Sequence, residues 1–234
     1  MAKLQFASIP TSALLALITT VSMASAQDGS ADITGSTYWN RRIPAPTRAL
    51  ELTLGTGYAQ GFGDLQQGSA LNDTAQAGMS VDLGAAYRLT PRWALGVAGG
   101  YQFYDAGDNS VGDSWPRGAT GRVEASYHFE PFSRLDPWLA FGAGYRYLGE
   151  RNQPGGNAHL HGLELASLNA GFDLRVDRQL GIAPLIGAGL DTFLWDGSSA
   201  IDDPRLSAFL FAGLRVRLDL GPSYETQPAT LAAR

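Results

Sequence analysis

The strongest constraint on the fold of this chain is a sustained alternation of apolar residues with polar or small ones. In the segment 50–58, leucine, threonine and tyrosine take every second position, and glutamate, threonine and glycine take the positions between them. Successive side chains of a β-strand point to opposite faces of a sheet, so this period predicts a strand with one apolar face. The pattern returns in seven further segments: 79–88, 93–103, 122–129, 139–147, 166–175, 182–194 and 206–219. The sequence therefore predicts an all-β fold of eight strands.

Composition argues against the main alternatives to this fold. The chain of 234 residues contains 29 glycines, and a glycine inside a helix costs about 1 kcal/mol relative to alanine. Beyond the N-terminus no apolar run is long enough for a helical membrane span. The absence of cysteine excludes disulfide scaffolds, thiolate metal sites and iron–sulfur clusters. The net charge of −5 argues against a nucleic-acid partner, and we expect no cofactor.

The connections between the strands alternate in length. Short ones are expected near 90–92, 131–136 and 177–178, and longer ones rich in glycine, asparagine and aspartate at 63–76, 105–117, 151–157 and 196–204. A soluble sandwich also alternates, but its apolar faces must pack on a second sheet. In a bilayer such a face needs only lipid, and closure of the sheet pairs every backbone group. The sequence therefore predicts an eight-stranded antiparallel up-and-down transmembrane β-barrel.

Aromatic residues cluster at both ends of the apolar face. Those near the short turns are Tyr87, Trp93, Tyr127, Phe129 and Phe172, and those near the long loops are Tyr58, Tyr101, Phe103, Tyr145 and Tyr147. About ten residues at ~3.3 Å each separate the two groups, which matches a bilayer crossing. These ten side chains are predicted to form two aromatic girdles.

Three segments, Leu89-Thr90-Pro91-Arg92-Trp93, residues 137–147 and the last strand, resemble the OmpA-like and opacity-type family of eight-stranded outer-membrane barrels. The resemblance covers about residues 48–220 and is one of architecture, without a single diagnostic motif. In that family the last strand carries the assembly signal and usually ends the chain on an aromatic residue. Here the strand ends in Leu218 and Leu220 and a tail follows, which departs from the family pattern.

The resemblance implies a protein of the Gram-negative cell envelope that resides in the outer membrane. We expect it to contact outer-membrane lipids and lipopolysaccharide, to be inserted by the barrel-assembly machinery and to be monomeric. The chain divides into a signal peptide (1–26), a periplasmic leader (27–47), the barrel (48–220) and a C-terminal tail (221–234). The signal peptide is indicated by Lys3, a short apolar stretch and the small residues Ala24-Ser25-Ala26. The leader caps the periplasmic mouth or is disordered.

Charged residues on the polar face are predicted to point into the lumen and to form a charge network. They are Glu51, Asp82, Arg88, Arg122, Glu124, Arg146, Asp173, Asp191, Arg215 and Arg217, together with Arg175 and Asp219. Strands one and eight must adjoin in a closed barrel, so Glu51 is expected near Arg215 or Arg217. An eight-stranded barrel is only wide enough for its side chains to fill. A packed polar plug is therefore favoured over a narrow path for ions.

Enzymatic and metal-binding alternatives have weaker support. Glu124, Ser126 and His128 share one inward face, but positions i and i+2 of a strand are ~6.6 Å apart, too far for a nucleophile and its base. Relatives that deacylate lipid A have a His-x-Ser-Asn arrangement, which this chain lacks, so no catalytic residue is assigned. His159 and His161 share a strand face as a two-point metal site, but with no third ligand evident a solvated strand end is favoured.

The function expected from the sequence is a structural or small-solute pore role in the outer membrane, in the manner of small porins. The alternative is surface contact or adhesion through the outer loops, with Tyr104, Asp113 and Trp115 as contact residues. A hydrolase that modifies lipid A is the least favoured alternative. Conductance separates the first two possibilities.

Overall fold

The computed structural model describes residues 42–66, 68–106, 115–153 and 156–221. The signal peptide, most of the leader and nearly all of the tail lie outside these residues. The described part contains eight long strands, two strands of two residues and one short helix. The elements are β1 (Ala49–Gln66), β2 (Ser69–Ala70), α1 (Leu71–Thr74), β3 (Ala75–Arg88), β4 (Trp93–Ala106), β5 (Arg117–His128), β6 (Leu135–Gln153), β7 (Gly156–Arg175), β8 (Leu180–Asp196), β9 (Ser199–Ala200) and β10 (Leu206–Leu220).

The eight long strands form one closed antiparallel sheet. Each pairs with the next long strand along the chain, and β1 closes the sheet against β10 in a register that runs from Leu50 opposite Leu220 to Gly63 opposite Ser207. Closure removes both sheet edges, so every strand has two hydrogen-bonded neighbours. The predicted eight-stranded up-and-down barrel is confirmed.

The alternation along each strand separates the two faces of the wall. In β1 the leucines Leu50, Leu52 and Leu54 are exposed on the outside, whereas Glu51 between them is only 4% exposed. The outer surface carries most of the large apolar side chains, and the inner surface carries glycine, alanine and charged residues. An exterior of this kind is unfavourable in water and matches a hydrocarbon environment.

The two ends of the barrel differ in their connections. Short turns at 89–92, 129–134 and 176–179 lie at one end, here called the turn end. The opposite end, here called the loop end, carries β2, α1 and β9. In the parts of the chain that are described, no helix is long and apolar enough to cross a membrane.

Several predicted loop boundaries were wrong. Two of the expected long loops are largely strand, because β1 continues to Gln66, and β6 and β7 run to Gln153 and from Gly156. Apolar and polar residues no longer alternate in these stretches, but the backbone hydrogen bonds of the β-ladder continue through them. Side-chain periodicity reports which face is apolar, whereas strand length depends on backbone pairing.

Candidate functional site in the lumen

The charged residues predicted to face the lumen lie on the inner face of the wall. Glu51, Arg88, Arg146, Asp173, Asp191 and Arg217 are buried there, and Asp82, Arg122, Glu124 and Arg215 line an internal cavity. From the turn end to the loop end, the interior has three layers: a charge network, a polar cavity and an apolar cluster. Each layer is built from inward-facing positions of several strands, which closure of the sheet brings together across the lumen.

The layer at the turn end is a network of buried charges, here called the basal network. Its members are Glu51, Arg88, His128, Asp136, Asp173, Arg175, Arg217 and Asp219, each at most 4% exposed. Arg88 binds Glu51, and Arg217 binds Asp173. Arg175 Nη1 lies 3.0 Å from Asp219 Oδ2, and Arg217 Nε lies 3.4 Å from Asp219 Oδ1. Three guanidinium groups therefore face four carboxylates, which neutralises most of the buried charge.

Glu51 was expected near Arg215 or Arg217, and all three residues line one small cavity of about 20 Å³. Its direct partner is nevertheless Arg88 on the neighbouring strand β3. Arg217 turns instead to Asp173 on β7. Which charges pair therefore depends on how far each side chain reaches across the lumen, and not only on which strands are neighbours.

His128 lies at the centre of the basal network and has both ring nitrogens engaged. Its Nδ1 is 2.8 Å from Asp136 Oδ2, and its Nε2 is 3.2 Å from Arg88 Nη2. Ser126 is not among its partners, so the pair does not form a nucleophile with its base.

The ligand atoms of His128, Asp136 and Asp173 lie within 4.8 Å of one another. Arg175 lies 3.8 Å from Asp136 and Arg217 binds Asp173, so guanidinium groups compete with a cation for both carboxylates.

The leader crosses the turn end just outside the basal network. Ile43 and Ala45 are buried, and the Ala45 N–H donates to the Pro131 carbonyl at 2.7 Å. Arg48 has a φ of 54°, in the left-handed region, where the chain turns into β1. The described end of the leader, residues 42–47, therefore covers part of the mouth at the turn end.

The middle layer is a polar cavity of about 70 Å³. Arg122 Nε contacts Glu124 Oε2 at 3.3 Å on its wall, and Arg146 Nε contacts Asp191 Oδ1 at 2.7 Å. Several buried atoms beside it have no protein partner: Gln102 Oε1, Thr120 Oγ1, Glu164 Oε2 and Ser167 Oγ. A polar cavity of this size holds a few water molecules, at roughly 10–15 Å³ each, and they would satisfy these atoms.

Arg215 differs from the other lumen arginines. No carboxylate of the described residues lies within ion-pair distance of it, and its guanidinium carbon stacks 4.0 Å above the Trp138 ring. Trp138 is 1% exposed and faces the lumen from β6. A cation–π contact replaces the ion pair at this position.

The layer at the loop end is apolar and is here called the apolar plug. It consists of Ala59, Leu65, Leu71, Ala75, Tyr104, Leu148, Leu160, Phe193 and Phe209. Leu71 on α1 is fully buried and packs over Gly61, where any side chain would collide with it. The guanidinium carbon of Arg146 lies 3.8 Å above the Phe209 ring, which joins the plug to the cavity below.

The sequence analysis missed the plug, and one of its loop predictions was wrong. Tyr104, expected as an outward contact residue of the second loop, is 6% exposed and lies inside the plug. Trp115 is exposed, and Asp113 lies outside the described residues. The signal that was overlooked is the run Ala208-Phe209-Leu210-Phe211-Ala212, in which both faces of the strand are apolar.

The ten girdle residues lie on the outer face. Trp93, Tyr127 and Phe129 form edge-to-face pairs at 4.9 and 5.1 Å near the turn end. Arg92, in the adjacent turn, donates a hydrogen bond to Tyr127 Oη at 2.9 Å. This hydrogen bond raises the pKa of the exposed Arg92 guanidinium. Near the loop end, Tyr101 and Phe103 pair at 4.9 Å.

Comparisons with known proteins bear on the fold. No protein-family model matches the chain, and no curated protein matches its sequence. Among solved structures, Neisserial surface protein A has a TM-score of 0.50 with 13% identity, covering 72% of this chain and 96% of its own. OprG from Pseudomonas aeruginosa has a TM-score of 0.46 with 8% identity, covering 76% and 99%. Ail of Yersinia pestis has a TM-score of 0.44 with 12% identity, covering 74% and 100%.

The likeness to Neisserial surface protein A agrees with the architecture expected from the sequence resemblance. This chain has the fold of the small outer-membrane β-barrels. At 13% identity the likeness concerns the fold.

Proposed function

We propose that this protein is an outer-membrane barrel with a structural role in the cell envelope and a lumen that does not conduct solutes. The observation that carries the proposal is that both ends of the lumen are filled. The apolar plug occupies the loop end, and the basal network with the leader across it occupies the turn end. Among the described residues, the cavities left between them are small, at about 70 Å³ and about 20 Å³.

The location in the outer membrane is supported by the exterior of the barrel. Large apolar side chains cover the wall, and aromatic side chains lie towards both of its ends. The fold and the expected signal peptide agree with this location. Outer-membrane lipids and lipopolysaccharide are then the partners of the outer face. The turn end faces the periplasm, because short turns lie on that side in barrels of this class.

Single-channel recording tests the closed lumen. The mature chain, residues 27–234, is refolded in detergent and inserted into a planar bilayer. We expect no discrete openings at either polarity, because two filled layers block the path. A mobility shift on gels between unheated and heated samples verifies that the silent protein is folded and inserted.

Reproducible openings of a folded sample would contradict the proposal and favour a small-solute pore. In that case Arg122, Glu124 and Arg146, which line the cavity, would set the ion selectivity. Charge reversal at Glu124 would then change the preference between anions and cations. The same change in a closed barrel leaves the recordings silent.

Surface contact through the loop end is the second candidate function. It is favoured by Trp115, which is 65% exposed beside the loop end although it is a large apolar side chain. Bacterial cells that display the wild-type barrel should then adhere to host-cell monolayers more strongly than cells that display Trp115→Ala. Equal adhesion at equal surface expression would contradict this role for Trp115.

A further inference from the structure

A second polar cluster lies outside the lumen, on the outer face towards the loop end, and the closed-lumen proposal does not use it. It consists of Tyr145 and Tyr147 on β6 and His159 and His161 on β7, here called the rim cluster. The register places Tyr147 opposite His161 and Gly149 opposite His159. All four side chains are therefore on one face of a two-strand ladder.

Both histidines in the rim cluster use the same ring nitrogen to contact a tyrosine. Tyr147 Oη lies 2.7 Å from His159 Nδ1, and Tyr145 Oη lies 2.5 Å from His161 Nδ1. Neither Nε2 atom has a partner among the described residues. In metal sites the second nitrogen of a ligating histidine is almost always hydrogen-bonded, usually to a carboxylate, a carbonyl or water, which fixes the orientation of the ring, and a tyrosine oxygen can accept the same N–H.

The two imidazoles are also held close to one another. Both pack against the Tyr147 ring, with centroid distances of 6.1 Å for His159 and 5.1 Å for His161. Their Cα atoms are about 6.6 Å apart on one strand face, a separation from which two imidazoles can converge on one ion.

The backbone beneath the rim cluster is fixed on its inner side. Leu160, between the two histidines, is buried in the apolar plug. Gly149 leaves room for the Tyr147 phenol, because a side-chain carbon there would stand only 2.9 Å from Tyr147 Cζ. The phenol can therefore lean over Gly149 and reach His159. Ligands on a packed strand are positioned more accurately than ligands on a loop.

We propose that His159 and His161 bind one divalent ion of the zinc, copper or nickel type through their Nε2 atoms. Imidazole suits these metals, whereas magnesium and calcium prefer oxygen ligands. In the bound form each Nδ1–H donates to its tyrosine oxygen, which leaves the lone pair of Nε2 for the metal. Tyr145 and Tyr147 are positioning residues, and water completes the coordination.

The composition of the chain makes the proposal easy to test. The sequence has three histidines and no cysteine. The third histidine, His128, is buried with both nitrogens engaged in the basal network. Zinc binding through imidazole by the untagged protein would therefore have to come from the rim cluster.

The experiment is isothermal titration of zinc chloride into the untagged mature chain, refolded in a detergent without metal ligands. We expect one ion per chain, a loss of binding in the double variant His159→Gln/His161→Gln, and at least tenfold weaker binding in either single variant. Gel mobility of unheated samples verifies that each variant is folded. The proposal would be overturned if the wild-type chain bound zinc with a dissociation constant above about 1 mM or not at all. It would also be overturned if the double variant bound zinc as tightly as the wild type.

The positioning role is tested by Tyr147→Phe, which removes the hydroxyl and keeps the ring. Loss of an outer partner of this kind weakens metal binding about 10- to 100-fold. Tyr101→Phe is the matched control, because Tyr101 lies on the same outer face and contacts Phe103 rather than a histidine. Equal affinities for both variants would overturn the role of Tyr147.

Discussion

The loop end of the lumen is filled by apolar side chains, whereas the turn end is filled by charges that pair with one another. Both fillings block the barrel, but they depend on different properties of their side chains. The apolar plug depends on volume, since its members contact one another without directional bonds. The basal network depends on partners, because each buried charge needs an opposite charge within reach.

This difference sets how each end responds to a lost side chain. A deletion in the plug leaves a cavity that neighbouring groups partly close, and its cost grows with the residual volume. A deletion in the basal network leaves a buried charge without its partner, and rearrangement of neighbours does not replace it. The turn end should therefore be the more sensitive of the two to single substitutions.

The largest effect is expected from Arg217→Ala. Arg217 binds Asp173 and also contacts Asp219. Its loss therefore leaves two buried carboxylates with less positive charge beside them. The free energy of unfolding should fall by about 3–5 kcal/mol. Urea titration of the protein in lipid vesicles, followed by tryptophan fluorescence, measures this change, and the slope with denaturant should stay constant.

Arg205→Ala is the matched control for the buried pair. Arg205 Nη2 lies 2.8 Å from Asp203 Oδ2, but both side chains are about half exposed. Such a pair contributes about 0–1 kcal/mol. Equal losses of unfolding free energy in Arg217→Ala and Arg205→Ala would show that burial of an ion pair does not make it more important for stability.

The next effect in size is expected from Leu71→Ala in the apolar plug. Leu71 is fully buried, and its removal should lower the free energy of unfolding by about 2–3 kcal/mol, near the lower end for buried leucines. The short helix α1 can shift to close part of the space, which keeps the loss smaller than that for Arg217. The same urea titration measures it.

Leu214→Ala on the outer face is the control for the plug. Leu214 is 57% exposed on the wall, so lipid fills the space that its side chain leaves. We expect a change within about 1 kcal/mol. A loss at Leu71 greater than that at Arg217 would reverse the comparison between the two ends.

The sequence was sufficient to predict the barrel because its alternation is a direct consequence of strand geometry. Leu50, Glu51 and Leu52 lie on the faces that a period of two assigns to them. The plug could not be predicted in the same way, because Phe209 and Phe211 belong to a run without alternation. In such a run the pattern does not indicate which apolar side chains face inward.

The pairing of the charges was also beyond the sequence. Arg146 on β6 binds Asp191 on β8, although β7 lies between these strands. Such contacts depend on strand register and on the curvature of the closed wall. Neither property is written in the local pattern of residues, so the sequence predicted that charges would face inward but not which partners they would have.

Among the three substitutions inside the barrel, the smallest effect is expected from Arg215→Ala, two positions before Arg217 on the same inner face. Arg215 stacks on Trp138 at 4.0 Å and has no carboxylate of the described residues within ion-pair distance, so its removal leaves no unpaired charge behind. The free energy of unfolding should fall by about 0.5–2 kcal/mol, the range of a cation–π contact. Trp138→Leu, which removes the aromatic face, combined with Arg215→Ala in a double-mutant cycle isolates the contribution of the contact. A loss as large as that of Arg217→Ala would contradict the comparison, because two neighbouring arginines on one face would then contribute equally with and without a partner.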